Sequence, residues 1–261
     1  MSDYKFDTFY YSVDNSNEHY LDEIENLSDE EFKHSYKGKM RCPQCKGPQL
    51  TLVRKPDTSF LRTYPRQPHE IIEGKICPYA FETASKATMT EYIQKLRNKK
   101  KIKSLLDAVM RQLFETPTQK TISTTTERTP TNALLIEKKQ KDKTIKMNVI
   151  PHYNFKSWGK NIPQDQLLIV YGKVYIEFKN IEYKNSDGTI CLQTYMHFKD
   201  ILTQRFITSC TKPRNMRIPS GNYYVAILGR CYAKEAKGHT YYNLRVNFPV
   251  EESILLKPFS P

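Results

Sequence analysis

The sequence predicts an α+β protein: an N-terminal module ending in a long basic helix, a linker, and a C-terminal all-β barrel. Three observations carry this. Residues 83–114 repeat apolar side chains at helical spacing, residues 115–132 are Thr-rich and almost without apolar side chains, and from residue 133 onward the pattern switches to period two.

The chain has 261 residues, 26% of them charged and 38% hydrophobic, which is a globular composition with room for one large core or two modest ones. No run of apolar residues is long enough for a membrane-spanning helix, and the acidic N-terminus lacks the basic and apolar regions of a secretory signal. A cytoplasmic chain with reduced thiols is therefore expected, so the 6 cysteines are not read as a disulfide framework. The net charge of +13 is unevenly spread. Residues 1–36 carry ten acidic against two basic side chains, a net of −8, so the remaining 225 residues carry +21. A body that basic attracts polyanions, nucleic acid foremost. The acidic segment reads as a solvated helix over "NEHYLDEIENLSDEEFKHSY", or as a dock for a basic protein partner.

Residues 37–114 form the next expected module. Its stretch "MRCPQCKGPQL" places Cys42 two residues before Cys45, and His69 and Cys77 follow in the order C-x2-C-x23-H-x7-C. A C-x2-C pair in a tight turn aims both sulfurs at one ion, and three Cys with one His complete a tetrahedral zinc set. "LTLVR" and "SFLRTY" form a hairpin that brings the ligand pairs together, with His34 as the alternative fourth ligand. Four protein ligands close such a site, so the Zn2+ is structural. A redox CxxC would instead open a helix after a strand, a setting absent around Pro43-Gln44.

The segment "MRCPQCKGPQLTLVRK…SFLRTYPRQPHEIIEGKICPYA", followed by a basic helix, resembles the N-terminal zinc segment of the competence CoiA-like proteins over residues 40–95. The family's aromatic–His step is "SFLRTY" here, without the histidine. The resemblance implies a DNA-processing or mobile-element setting and a nuclease domain with an acidic residue ahead of a Glu-x-Lys pair. Glu137-Lys138-Lys139 and Glu177-Phe178-Lys179 fit the triplet, but no Asp precedes either on a partner strand. Binding without catalysis is expected, with a Mg-dependent nuclease as the third reading.

The helix over 83–114 has an apolar face formed by Met89, Tyr92, Ile93, Leu96, Ile102, Leu105, Leu106, Val109, Met110 and Leu113, with Ser85 or Thr88 as its cap. Lys95, Arg97, Lys99, Lys100, Lys101 and Lys103 crowd its middle as a solvated face or a phosphate-contacting ridge. Residues 115–132 are too polar to offset their ordering entropy and read as a flexible linker.

Residues 133–261 form the expected barrel. "NALLIEKKQKDKTIKMNVI" reads as two strands around "KQKDK", and "QLLIVYGKVYIEFKNIEYKNSDGTICLQTYMHF" as a hairpin turning at Ser186-Asp187-Gly188. "RFITSC", "GNYYVAILGRCYA", "HTYYNLRVNF" and "ESILLKP" supply further strands. "GNYYVAILGRCYAKEAKGHTYYNLRVNF" resembles the later strands of an OB-fold single-strand-binding domain. Aromatics beside cations stack bases while the cations follow phosphates. Tyr175, Tyr195, Tyr224 and Tyr242 are the expected stacking platforms, and Arg214, Arg217 and Arg230 the phosphate contacts. Alternation sends Tyr223, Val225, Ile227 and Gly229 one way and Tyr224, Ala226, Leu228 and Arg230 the other, so half of these aromatics belong to the core. The first expectation is thus a zinc-containing DNA-binding protein favouring single strands, with RNA as an alternative; the second is a metal-stabilised protein–protein adaptor.

Overall fold

The structure is a computed structural model. It describes residues 6–260 except 57, 66, 70, 73–74, 97–98, 115–132, 140–144, 160–161, 185, 237 and 247–251. The expected linker and Arg97 thus lie outside the described residues. The chain forms two compact units, Met1–Thr88 with Glu115–Pro151, and Met89–Phe114 with His152–Pro261. Packing therefore divides the chain differently from composition. Residues 89–114, expected with the N-terminal module, pack with the C-terminal unit, and the described residues 133–139 and 145–151, expected with the barrel, group with the first.

Unit 1 is an assembly of short sheets. Strands β1 (Thr8–Tyr11), β2 (Ser16–Tyr20) and β3 (Met40–Arg41) make a sheet in the order β2-β1-β3. So the acidic N-terminal segment, expected as a solvated helix over residues 17–36, is helical only in part: β2 takes its start, a 3-10 turn Leu21–Glu23 follows, and an α-helix forms only near its end. Its one α-helix, α1 (Asp29–Ser35), starts at a capping box: Ser28 Oγ accepts from the Glu31 N–H and the Glu31 carboxylate accepts from the Ser28 N–H. Strands β4 (Leu50–Lys55) and β5 (Thr58–Thr63) form the expected hairpin. The guanidinium of Arg54 donates to the carbonyls of Ile24, Glu25 and Leu27 and pairs with Asp29 at 2.6 Å, tying that hairpin to the turn before α1. Two short strands follow, β6 (Ile71–Ile72) and β7 (Lys75–Ile76). Strand β8 (Glu82–Thr83) runs parallel to β10 (Ile145–Val149), which pairs antiparallel with β9 (Leu135–Lys139). Phe9, Ile24, Met40, Leu50 and Leu61 are fully buried.

The expected continuous helix is two helices, α2 (Lys86–Lys95) and α3 (Lys99–Phe114), with Leu96 in a turn. Ser85 caps α2, its Oγ accepting from the Thr88 N–H. No helix among the described residues is long and apolar enough to cross a membrane.

Unit 2 is built on one large sheet. Its strands are β11 (His152–Asn154), β12 (Leu167–Lys184), β13 (Ile190–Lys199), β14 (Phe206–Thr211), β15 (Gly221–Ala236), β16 (His239–Val246) and β17 (Ile254–Pro258). The order is β14-β13-β12-β15-β16, all antiparallel, with β11 parallel to β12 and β17 antiparallel to β15. The turn from β12 to β13 uses Gly188 at φ +86°, as the Asp-Gly step requires. Leu168, Val170, Val174, Ile176, Met196, Phe198, Tyr223, Val225 and Ile227 point into one core. The outer side of β15 is buried as well, at Ala226 and Leu228. Helix α3 lies against β15 and β17 and buries Ile102, Leu105, Leu106, Val109 and Met110. Each such side chain contributes about 1.5–3 kcal/mol.

The expected barrel is not closed by a ladder. The end strands β14 and β16 approach through side chains: Thr208 Oγ1 and Trp158 Nε1 both donate to the Tyr242 carbonyl at 2.8 Å. Among the described residues no backbone pairing joins those two strands. At Gly229 a Cβ would meet the Arg245 carbonyl oxygen at 2.7 Å and Leu244 Cδ1 at 2.9 Å, so only glycine lets β15 and β16 come this close.

Candidate functional site

The C-x2-C turn leaves β3 and folds back on itself. The Lys46 N–H donates to the Cys42 carbonyl and the Cys42 N–H to the Pro48 carbonyl. Lys46, not Gly47, takes the left-handed conformation, at φ 55°, with its ammonium over the Tyr10 ring. That turn aims both sulfurs inward. His69 follows the β4–β5 hairpin, and Cys77 opens a 3-10 turn, Pro78–Ala80.

The ligand atoms of Cys42, Cys45, His69 and Cys77 all lie within 4.8 Å of one another. His34 is exposed on α1 and is not among them. Cys42 Sγ is 3.8 Å from Cys77 Sγ, and Cys45 Sγ is 3.4 Å from His69 Nδ1. A tetrahedron with metal–sulfur bonds of about 2.3 Å has sulfur–sulfur edges of about 3.8 Å and sulfur–nitrogen edges of about 3.6 Å. The donor set and its spacing thus fit an ion such as zinc. The three sulfurs are buried. His69 lies beside the packed pair of Phe6 and Tyr79 rings, with its Nε2 buried and unpartnered among the described residues, which leaves Nδ1 as the donor.

Burial, then the neighbouring thiols, pushes the Cys42 thiol well up, while hydrogen bonds from Cys42 and Cys77 pull Cys45 far down. Three thiolates at this spacing repel unless a cation sits between them. With four protein donors no open position remains, so such an ion braces the fold.

The expected nucleic-acid residues scatter over several surfaces. Lys100, Lys101 and Lys103 are exposed on α3, opposite its buried face; Lys99 begins that helix, and Lys95 on α2 pairs with Glu91 at 2.7 Å. Arg214 and Arg217 are exposed between β14 and β15. Three of the expected residues are engaged internally. Tyr224 is packed by Phe114, Phe259 and the Lys173 ammonium. Tyr242 packs on the core, and its neighbour Tyr241 is the exposed ring. Arg230 donates to the Asp165 backbone carbonyl at 2.8 Å and to its carboxylate at 3.4 Å, and Tyr232 donates to the same carboxylate.

Tyr175 and Tyr195 stand on the outer face of β12–β13, opposite in direction to the core residues Ile176 and Met196. Cross-strand pairing sets Tyr175 beside Lys199, Glu177 beside His197, Lys179 beside Tyr195, and Tyr183 beside Cys191. Phe206 of β14 adds a ring 5.2 Å from His197. Tyr183, His197, Lys199 and Phe206 were not among the expected site residues, and Lys179 figured in the sequence only through its Glu-x-Lys triplet and its place among the cations beside aromatics. Phasing the alternation from Val174, Ile176 and Phe178 on one strand and Met196 and Phe198 on the other would have put Lys179, Tyr183, His197 and Lys199 on the outer face. The Glu177 carboxylate lies between Lys199, at 2.9 Å, and Lys179, at 3.2 Å. No second acid joins it: among the described residues the one His/Cys/Asp/Glu group with metal-holding spacing is the Cys3His set.

Set against protein-family models, curated proteins and solved structures, the chain finds no match in any of the three.

Proposed function

We propose that this is a zinc-containing, non-catalytic nucleic-acid-binding protein that holds single-stranded DNA on the outer face of β12–β13–β14. The observation that carries the reading is the interleaving of cations and rings there: Lys173, Lys179 and Lys199 with Tyr175, Tyr183, Tyr195 and Phe206. Rings of this kind stack bases regardless of sequence, and ammonium groups follow the phosphates. Charge supports it too. Unit 2 carries 22 basic and 10 acidic residues, a net of +12, whereas unit 1 carries 19 and 18. The antiparallel run β14-β13-β12-β15-β16 within the seven-stranded sheet is compatible with an OB-like scaffold, in which such a face and its flanking loops take oligonucleotides. Zinc is the ion that three thiolates and an imidazole at this spacing favour.

The test is fluorescence anisotropy with labelled single-stranded DNA, duplex DNA and RNA across a salt series, after elemental analysis for zinc. Single-strand binding that weakens steeply with salt is expected. No binding at low salt overturns the reading.

One observation favours a protein–protein adaptor instead. The far end of the β12–β13 hairpin exposes Ile181, Tyr183, Ile190 and Leu192, each 44–67% accessible. Ile181 and Tyr183 share the outer face and Ile190 and Leu192 the opposite one, so the hairpin end is apolar on both sides; exposed apolar side chains there suit a protein partner, and such binding would change little with salt.

A further inference from the structure

We propose that Glu177 occupies a phosphodiester site, holding Lys179 and Lys199 where a backbone phosphate of the bound strand would sit. The inference rests on the nucleic-acid reading above. Its basis is the geometry of the outer face. The carboxylate spans both ammonium groups, Oε1 to Lys179 at 3.2 Å and Oε2 to Lys199 at 2.9 Å, the latter an ion pair without hydrogen-bond alignment. A phosphodiester offers the same two things, one negative charge and two free oxygens. Rings surround the site as they would need to: Tyr175 and Tyr195 are the cross-strand neighbours of Lys199 and Lys179, and His197 stands opposite Glu177 beside Phe206.

The exchange is physically accessible. The Lys179 side chain is 52% exposed and can turn outward, whereas Lys199 and Glu177, at 23% and 27%, are held closer to the strand surface. Lys199 and then Lys179 hold the Glu177 carboxyl below its usual range, so it is charged at neutral pH. Burial keeps the His197 pKa down, so its ring meets a base as a neutral aromatic. Binding a strand must therefore expel one negative charge that the protein itself supplies. The device keeps the face from gripping every polyanion and limits affinity to strands whose bases also stack.

The experiment compares the full chain with Glu177→Gln, Glu182→Gln and the double variant Glu177→Gln/Lys199→Gln. Each is titrated with labelled oligothymidylate across a salt series, after circular dichroism and Trp158 emission show the fold retained. Glu182 lies on the opposite face of the same hairpin and controls for the loss of one acid. Glu177→Gln is expected to bind roughly tenfold tighter at low salt, with a log–log salt slope steeper by about 0.7 per phosphate gained. Glu182→Gln should change affinity less than about twofold, and the double variant should lose the gain. If the wild type binds and Glu177→Gln gains no more than Glu182→Gln, this inference falls and the nucleic-acid reading stands. If no variant binds at low salt, both fall. Binding by Glu177→Gln alone supports the inference in its strongest form.

Discussion

The two units hold themselves together by different means. Unit 1 has only short strands in sheets of two or three, and its buried apolar side chains are dispersed among hairpins. Hairpins of that size are marginal alone. What gathers them is polar: the Cys3His donor set and the Arg54 clamp onto the carbonyls before α1. Unit 2 has one large sheet with apolar cover on both sides of β15 and needs no such brace. The charge follows the same division, near balance in unit 1 and strongly basic in unit 2. The contrast teaches that one chain can use two kinds of scaffold: a donor set that can brace a unit where apolar area is short, and a large sheet that is held by its own core.

The largest expected effect breaks the comparison at the metal. Structural zinc contributes on the order of 10 kcal/mol or more to small sites. Chelation, or Cys77→Ser, should unfold unit 1 and leave unit 2 standing. The chain's single tryptophan, Trp158, lies in unit 2 and reports on it alone. Limited proteolysis should open unit 1 after chelation while Trp158 emission stays native; a collapse of both signals would show that unit 2 also depends on the ion.

The next effect sharpens the assignment of α3. Leu106 is fully buried in the helix that lies against β15 and β17. Leu106→Ala should cost about 2–5 kcal/mol. Denaturation followed by Trp158 should register the whole of it, and zinc affinity should not change. Were Leu106→Ala to weaken zinc retention instead, the helix would belong with unit 1 in solution.

The smallest effect concerns pH in unit 1. His19 is bridged by Asp14 at 2.7 Å and Glu23 at 2.8 Å. Burial opposes its protonation, but the two carboxylates outweigh that and raise its pKa above the usual 6.5. A group whose folded pKa is raised contributes stability that is complete below its unfolded pKa and fades as pH climbs through the folded value. With zinc saturating, unit 1 should therefore lose stability as pH rises from 6.5 through the raised folded value. His19→Gln should flatten that decline, as chemical denaturation at stepped pH would read.

The metal set was legible in the sequence because ligand spacing is a local constraint with few alternatives. So were the hairpin turning at Gly188 and the helical periodicity over 89–113. What was not legible lies in pairing over distance. A helix with an apolar face declares that it covers something, not which sheet. A strand that alternates declares two faces, not that α3 and the rings of Phe114 and Phe259 bury the one bearing Tyr224. Arg230 was taken as free because Asp165, its partner, is 65 residues away. Phe6, whose ring stacks on His69, sits in a segment that composition alone marked as a polar tail.

The place of α3 in the chain has a consequence for synthesis. The helix leaves the ribosome as residues 99–114, but β15 and β17, which cover it, are complete only when Pro258 has been made. In the interval its apolar stripe has no native sheet to rest on. Lysines at 99, 100, 101 and 103 then serve a second purpose, keeping an unhoused amphipathic helix hydrated until the last strands arrive. Any chain that begins after the Thr-rich stretch would be born without its lid, exposing the outer side of Ala226 and Leu228 from the start.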